Sequence, residues 1–204
     1  SYICADFCGR LCKRRRSRRV IIETGIGGAG EIMGKRTMRP RQATTLQDLL
    51  DREGIKDCLY SYCRAIDRRD RDLLEEVYWP EASDDHVIFS GSAREFIDWV
   101  IPQLENVDQT AHALHNIFLD LAGNRARVET YFTAYHRLIT GGKPQSYTLG
   151  GRYLDVLEKR GGEWRILRRK VAMDWLEENP AAAESRRNAL GIALESHCFP
   201  TDLS

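Results

Sequence analysis

No apolar run in this 204-residue chain is long enough to span a bilayer, and no secretory hydrophobic segment follows its basic N-terminal cluster. Membrane insertion and export are therefore not expected, and a cytoplasmic protein is. Net charge is also scarce: 31 Lys and Arg against 30 Asp and Glu leave +1, which argues against a chain-wide nucleic-acid surface. There is no C-x-x-C pair, so a zinc site is not expected. Cys4, Cys8, Cys12, Cys58, Cys63 and Cys198 are placed poorly for a disulfide framework, and a chain of this length can build a core without one. Reduced thiols are the expectation. Gly25, Gly27 and Gly30 have nucleotide-fingerprint spacing, but no periodic helix follows them, so no cofactor is expected.

Patterning divides the chain into three stretches. Residues 1–43 mix the run Lys13-Arg14-Arg15-Arg16 with glycines and Arg39-Pro40-Arg41, and read as a flexible extension. Residues 44–178 carry the periodic elements, and 179–204 a helical tail beginning after Pro180. Thr45 with Asp48 predicts a helix start, and Leu46, Leu49, Leu50, Ile55, Leu59, Tyr62 and Ile66 recur at helical spacing up to Asp67, with a break expected at Gly54. A short helix from Asp70 should stop before Pro80, and a strand is expected over 86–89. Ser92 and Glu95 form a capping-box pair for a third helix.

From Ala111 onward the period becomes two, with hairpin turns at Gly123-Asn124 and Arg160-Gly161-Gly162. Helices followed by a meander predict an α+β fold, a strongly curved antiparallel sheet wrapped around the N-terminal helices as a cone-like half barrel. Alternation puts Val128, Thr130, Phe132, Ala134, His136 and Leu138 on one face. In the last strand it groups Leu167, Arg169, Val171 and Met173. An arginine among apolar neighbours requires an acid, such as Asp155 or Asp67, or an anionic ligand.

Chemistry-bearing residues concentrate in this region. His86, His112 and His136 all fall in expected strands, and Asp67 closes the helix before them. An imidazole held in one tautomer by a carboxylate is the equipment of proton transfer without a cofactor. His115 falls on the opposite face from His112 and is expected to be structural or an oligomer contact.

The order Tyr62 to Asp67 to Asp70, Asp84-Asp85-His86, Thr110-Ala111-His112, Gly151-Arg152-Tyr153-Leu154-Asp155, Gly162-Glu163-Trp164 and Asp174-Trp175 resembles the SnoaL-like branch of the nuclear-transport-factor-like cone fold. Within it, the chain is most similar to cofactor-free lyases such as scytalone dehydratase, bile-acid dehydratases and lindane dehydrochlorinase. The resemblance implies Asp67 and His112 as the catalytic pair, with Tyr62, His136 and His86 as further catalytic candidates. His86 stands where scytalone dehydratase has a tyrosine. Arg169, with Tyr153, Phe132 and Trp99, is expected on the substrate side.

The function so implied is a dehydratase-type elimination on a small cyclic or aromatic hydrophobic substrate, by a homo-oligomer (trimer or dimer). The same scaffold also serves carbon–carbon lyases that deformylate lignin-derived aromatics, polyketide cyclases, and non-catalytic ligand-binding proteins or dioxygenase β subunits.

Overall fold

The computed structural model describes residues 42–180, so the expected basic extension before residue 42 and the helix expected over 181–196 lie outside the described residues. Helix α1 spans Leu46–Arg68, α2 Arg71–Glu76 and α3 Ala93–Leu104. The strands are β1 Tyr78–Asp85, β2 Ser90–Ser92, β3 Val107–Ala122, β4 Arg125–Thr140, β5 Lys143–Arg160 and β6 Glu163–Pro180. They form one sheet in the order β2-β1-β6-β5-β4-β3. None of the helices among the described residues is long and apolar enough to cross a membrane.

Both predicted capping boxes form, at Thr45 with Asp48 and at Ser92 with Glu95. The break expected at Gly54 does not occur. A Cβ there would lie 3.1 Å from Cδ1 of Trp164, so the glycine admits the indole against an unbroken helix. Leu46, Leu49 and Leu50 are exposed, so the buried apolar stripe of α1 begins only with Ile55, after the buried Asp51.

Strands of 16 to 18 residues are about three times the usual length and cannot stay flat. Register shifts at Leu114/Ile117, Gly150/Gly151 and Val156/Leu157 bend them further. The sheet is curved and unclosed, and α1 packs against both β3 and β6, which are separated by two intervening strands. A helix about 10 Å wide reaches both only because the sheet wraps around it.

Three details depart from the sequence pattern. The strand expected over 86–89 lies instead at Tyr78–Asp85, with Pro80 inside it; the register with β6 shifts between Tyr78 and Ser83, where a missing N–H is tolerated. That strand runs parallel to β6, so the sheet is mixed rather than wholly antiparallel. Finally, Leu157 pairs with Ile166 and Val156 with Arg168, leaving Leu167 unpaired. The bulge rephases β6, so Trp164 and Ile166 join Arg169 and Val171 in the core, and Leu167 does not.

Candidate active site

The end of α1 is fixed by its C-cap. Arg69 takes the left-handed conformation (φ 57) and its N–H returns to the carbonyls of Ala65 and Ile66. Its guanidinium donates to the carbonyl of Val107, tying the helix end to the start of β3. Asp67 is thereby set against Thr110 and His112, which share one face of β3. Its Oδ1 lies 2.7 Å from His112 Nδ1, and its Oδ2 accepts the His112 backbone N–H at 2.9 Å. The Thr110 hydroxyl donates to Oδ1 at 3.4 Å. Burial raises the Asp67 pKa, but the hydrogen bonds and charge of His112 outweigh it and hold the carboxyl below its ordinary value. An ionised Asp67 accepts the Nδ1–H of His112 and leaves Nε2 with its lone pair, the tautomer a general base needs.

His136 pairs across the sheet with Thr110 on one side and Tyr147 on the other. Its ring is edge-on to His112 at 5.5 Å and stacked on Tyr147 at 4.7 Å. Burial first, and the charge of His112 second, push its pKa down to about 3. It is therefore neutral near pH 7, and its Nδ1 is buried without a hydrogen-bond partner. The predicted trio of Asp67, His112 and His136 is thus one cluster.

His86 lies in a turn rather than a strand. Its Nδ1 is 3.0 Å from Asp84 Oδ1, and the Tyr78 hydroxyl donates to Asp84 Oδ2 at 2.7 Å. The His86 ring stacks on Phe96 at 4.7 Å, and Phe96 leads through Phe89 to the half-buried Trp99. The geometry of Tyr78 and Asp84 adds two residues to the site. Only the Asp84-x-His86 spacing, which faces both side chains the same way on an extended chain, hinted at the pairing.

The third group centres on Arg169. Its Nε and Nη2 meet the two oxygens of Asp155 at 2.9 and 2.7 Å, with both side chains 0% exposed. Of the two acids expected as its partner, Asp155 is the one it meets. The guanidinium lies 3.9 Å from the Tyr62 ring centre and 4.2 Å from that of Tyr153. Phe132 stacks on Tyr153 at 4.2 Å. Burial pushes the Tyr62, Tyr78 and Tyr153 phenols far above their ordinary value, and the Cys58 and Cys63 thiols to about 12. Both cysteines are free and buried. His115 is exposed, bonded to Thr133 at 2.8 Å on the outer face.

A separate groove of about 620 Å³ lies at the other end of α1, lined by residues including Asp48, Asp51, Asn124 and Lys159. Asp48 and Asp67 are about 28 Å apart along the helix at 1.5 Å per residue, so that groove does not serve the histidines.

Comparison with known proteins places this geometry in context. An uncharacterized protein of Mycobacterium tuberculosis, Rv2910c, is 27% identical over 133 residues, covering 63% of this chain and 89% of its own. A provisional scytalone dehydratase from Novosphingobium aromaticivorans superposes with a TM-score of 0.59 at 16% identity, covering 76% of this chain and 97% of its own. The hexachlorocyclohexane dehydrochlorinase LinA-type3 of Novosphingobium barchaimii gives 0.58 at 18%, covering 66% and 93%. The family model of the SnoaL-like domain matches residues 47–170, more than half of the sequence, and the chain belongs to that family.

Proposed function

We propose that this protein is a cofactor-independent lyase that eliminates water from a small cyclic, hydrophobic substrate. The observation that carries the reading is the two-point contact of Asp67 with His112, through ring Nδ1 at 2.7 Å and backbone N–H at 2.9 Å. It fixes both the tautomer and the direction of the imidazole and leaves Nε2 as the free ring nitrogen. His112 Nε2 takes a proton from a carbon next to an electron-withdrawing group. The hydroxyl on the neighbouring carbon leaves with a proton supplied by Tyr62, His86 or His136. Trp99, Phe132 and Tyr153 are assigned to the substrate side, where aromatic walls favour flat rings. Arg169 is engaged with Asp155 through two of its nitrogens; only Nη1 is without a partner to meet a developing oxyanion.

Likeness to proteins named dehydratase and dehydrochlorinase, both eliminating enzymes by name, supports the class of reaction. Phe118, Tyr131, Ile139 and Trp175 are exposed large apolar groups on the strands, and support self-association, which light scattering will test.

The test of the base uses 1-tetralone, whose carbon beside the carbonyl exchanges hydrogen for deuterium in D2O. The wild type is expected to catalyse exchange, and His112→Ala and Asp67→Asn to lose about 10²–10⁴-fold of it while staying folded. Folded variants with unchanged exchange remove both residues from the mechanism. A wild type without exchange favours the ligand-binding role.

A further inference from the structure

A second carboxylate–imidazole pair follows β1, near enough to the first cluster that the charge of His86 is among the causes lowering the pKa of His136. Asp84 is wholly buried, holds His86 Nδ1 at 3.0 Å and receives the Tyr78 hydroxyl at 2.7 Å. Two features show that His86 is placed rather than merely present. It opens a turn in which Ile88 N–H donates to its carbonyl at 2.6 Å around Val87, held at φ 64. A β-branched residue there is strained, and such strain persists where the surroundings enforce it. The ring is also clamped against Phe96. Asp84 further lies beside Arg169 in the β1–β6 register, and Arg169 beside Asp155 in β6–β5. That buried row has two carboxylates for one guanidinium, and the guanidinium engages Asp155 through two nitrogens. Asp84 is held from its other side by the Tyr78 hydroxyl and the His86 ring.

The geometry points to His86 as a second catalytic imidazole, the acid that protonates the departing hydroxyl, with Asp84 and Tyr78 as the residues that position it. This assignment rests on the lyase reading above. The other two donors fit less well. His136 is neutral near pH 7 and stacked on Tyr147, and Tyr62 is 1% exposed against Arg169 and Tyr153. The His86 side chain is 26% exposed, so its proton can be renewed from water. Both imidazoles direct Nδ1 to an aspartate and keep Nε2 for the substrate.

The elimination balances between them. His112 Nε2 accepts the proton from carbon as the C–H pair becomes the new C=C bond. The C–O bond breaks with its electrons on oxygen, and His86 Nε2–H delivers the proton that makes it water. His112 ends protonated and His86 neutral, and exchange with solvent restores both.

The test varies the leaving group, using 3-hydroxy-1-tetralone and 3-acetoxy-1-tetralone. Acetate leaves without a proton, whereas hydroxide does not. His86→Gln is expected to lose about 10²–10⁴-fold on the alcohol, to stay within about threefold of wild type on the acetate, and to keep 1-tetralone exchange. His86→Phe, which retains the stack on Phe96, should behave alike if the glutamine variant folds poorly. Asp84→Asn and Tyr78→Phe should show the same leaving-group dependence in weaker form. Equal losses on both leaving groups, or none on the alcohol, overturn the role of His86. A wild type inactive in exchange and in both eliminations overturns the lyase reading with it.

Discussion

His136 stands edge-on to His112 with ring centroids 5.5 Å apart, and its other neighbour is the stacked ring of Tyr147. Burial, and the charge of His112 so close by, disfavour a proton on His136. On the proposed mechanism this divides the labour between them, with His112 as the base held by Asp67 and His136 as a neutral hydrogen-bonding group.

That division has a consequence for stability. The pKa of His136 is pushed from 6.5 down to about 3 on folding. Between those values the unfolded chain binds a proton that the folded protein refuses, so stability falls as pH falls, by up to about 1.4 kcal/mol per pH unit. Below about 3 the loss is complete, and above 6.5 it is absent. His136→Phe keeps the ring stack and removes the proton site. Urea unfolding at pH 7, 6 and 5 should therefore give a shallower decline for the variant than for wild type. Parallel declines would show that His136 titrates normally.

Asp67→Asn should alter the tautomer of His112 before it alters the fold. The amide replaces one acceptor oxygen with a donor, so it cannot serve both Nδ1–H and the backbone N–H as the carboxylate does. Nitrogen-15 spectra of the labelled imidazole should move from Nδ1–H in wild type toward Nε2–H in the variant, which turns the free nitrogen from base into donor. An unchanged His112 spectrum would mean the carboxylate does not set the tautomer.

The elements legible in the sequence are those whose determinants are local. Both capping boxes lie within four residues, and the inward face of β4 follows from strict alternation between Ala126 and Leu138. Asp67 and His112, far apart in sequence, were brought together by the family resemblance rather than by periodicity. What escaped was decided elsewhere in the chain. Gly54 stays helical because Trp164 packs on it, and Leu167 is expelled from the core by its pairing with β5. The neighbour that accepts Pro80 inside a strand is β6, which follows it by some ninety residues. Asp84 reads in sequence as one of two adjacent acids, and only the fold shows that it is the buried one that holds His86.

Two adjacent glycines in β5 should respond very differently to alanine. At Gly150 the new Cβ would fall 2.3 Å from the Trp175 ring, which is 45% exposed and can swing aside. At Gly151 it would fall 2.1 Å from the carbonyl oxygen of Ala172, which is backbone and cannot. Gly151→Ala should cost at least the 1–3 kcal/mol typical of overpacking, and Gly150→Ala about 1 kcal/mol or less. Thermal unfolding compares them, and equal losses would mean that the bulge itself yields.

The ion pair of Arg169 with Asp155 lies wholly out of water, with Tyr62 and Tyr153 on the guanidinium. Desolvation offsets much of what such a pair gains, so its net contribution is small, yet removing one partner strands the other. Arg169→Met and Asp155→Leu are each expected to lose about 3–5 kcal/mol in urea unfolding. The double variant should recover a large part of that loss, because neither charge is left alone. Recovery of stability should not bring back the site. Tyr62 would lose the cation that now lies against its ring, and Asp84 would lose its positive neighbour in the register. A double variant as unstable as the singles would mean that the guanidinium acts chiefly by packing the two tyrosines.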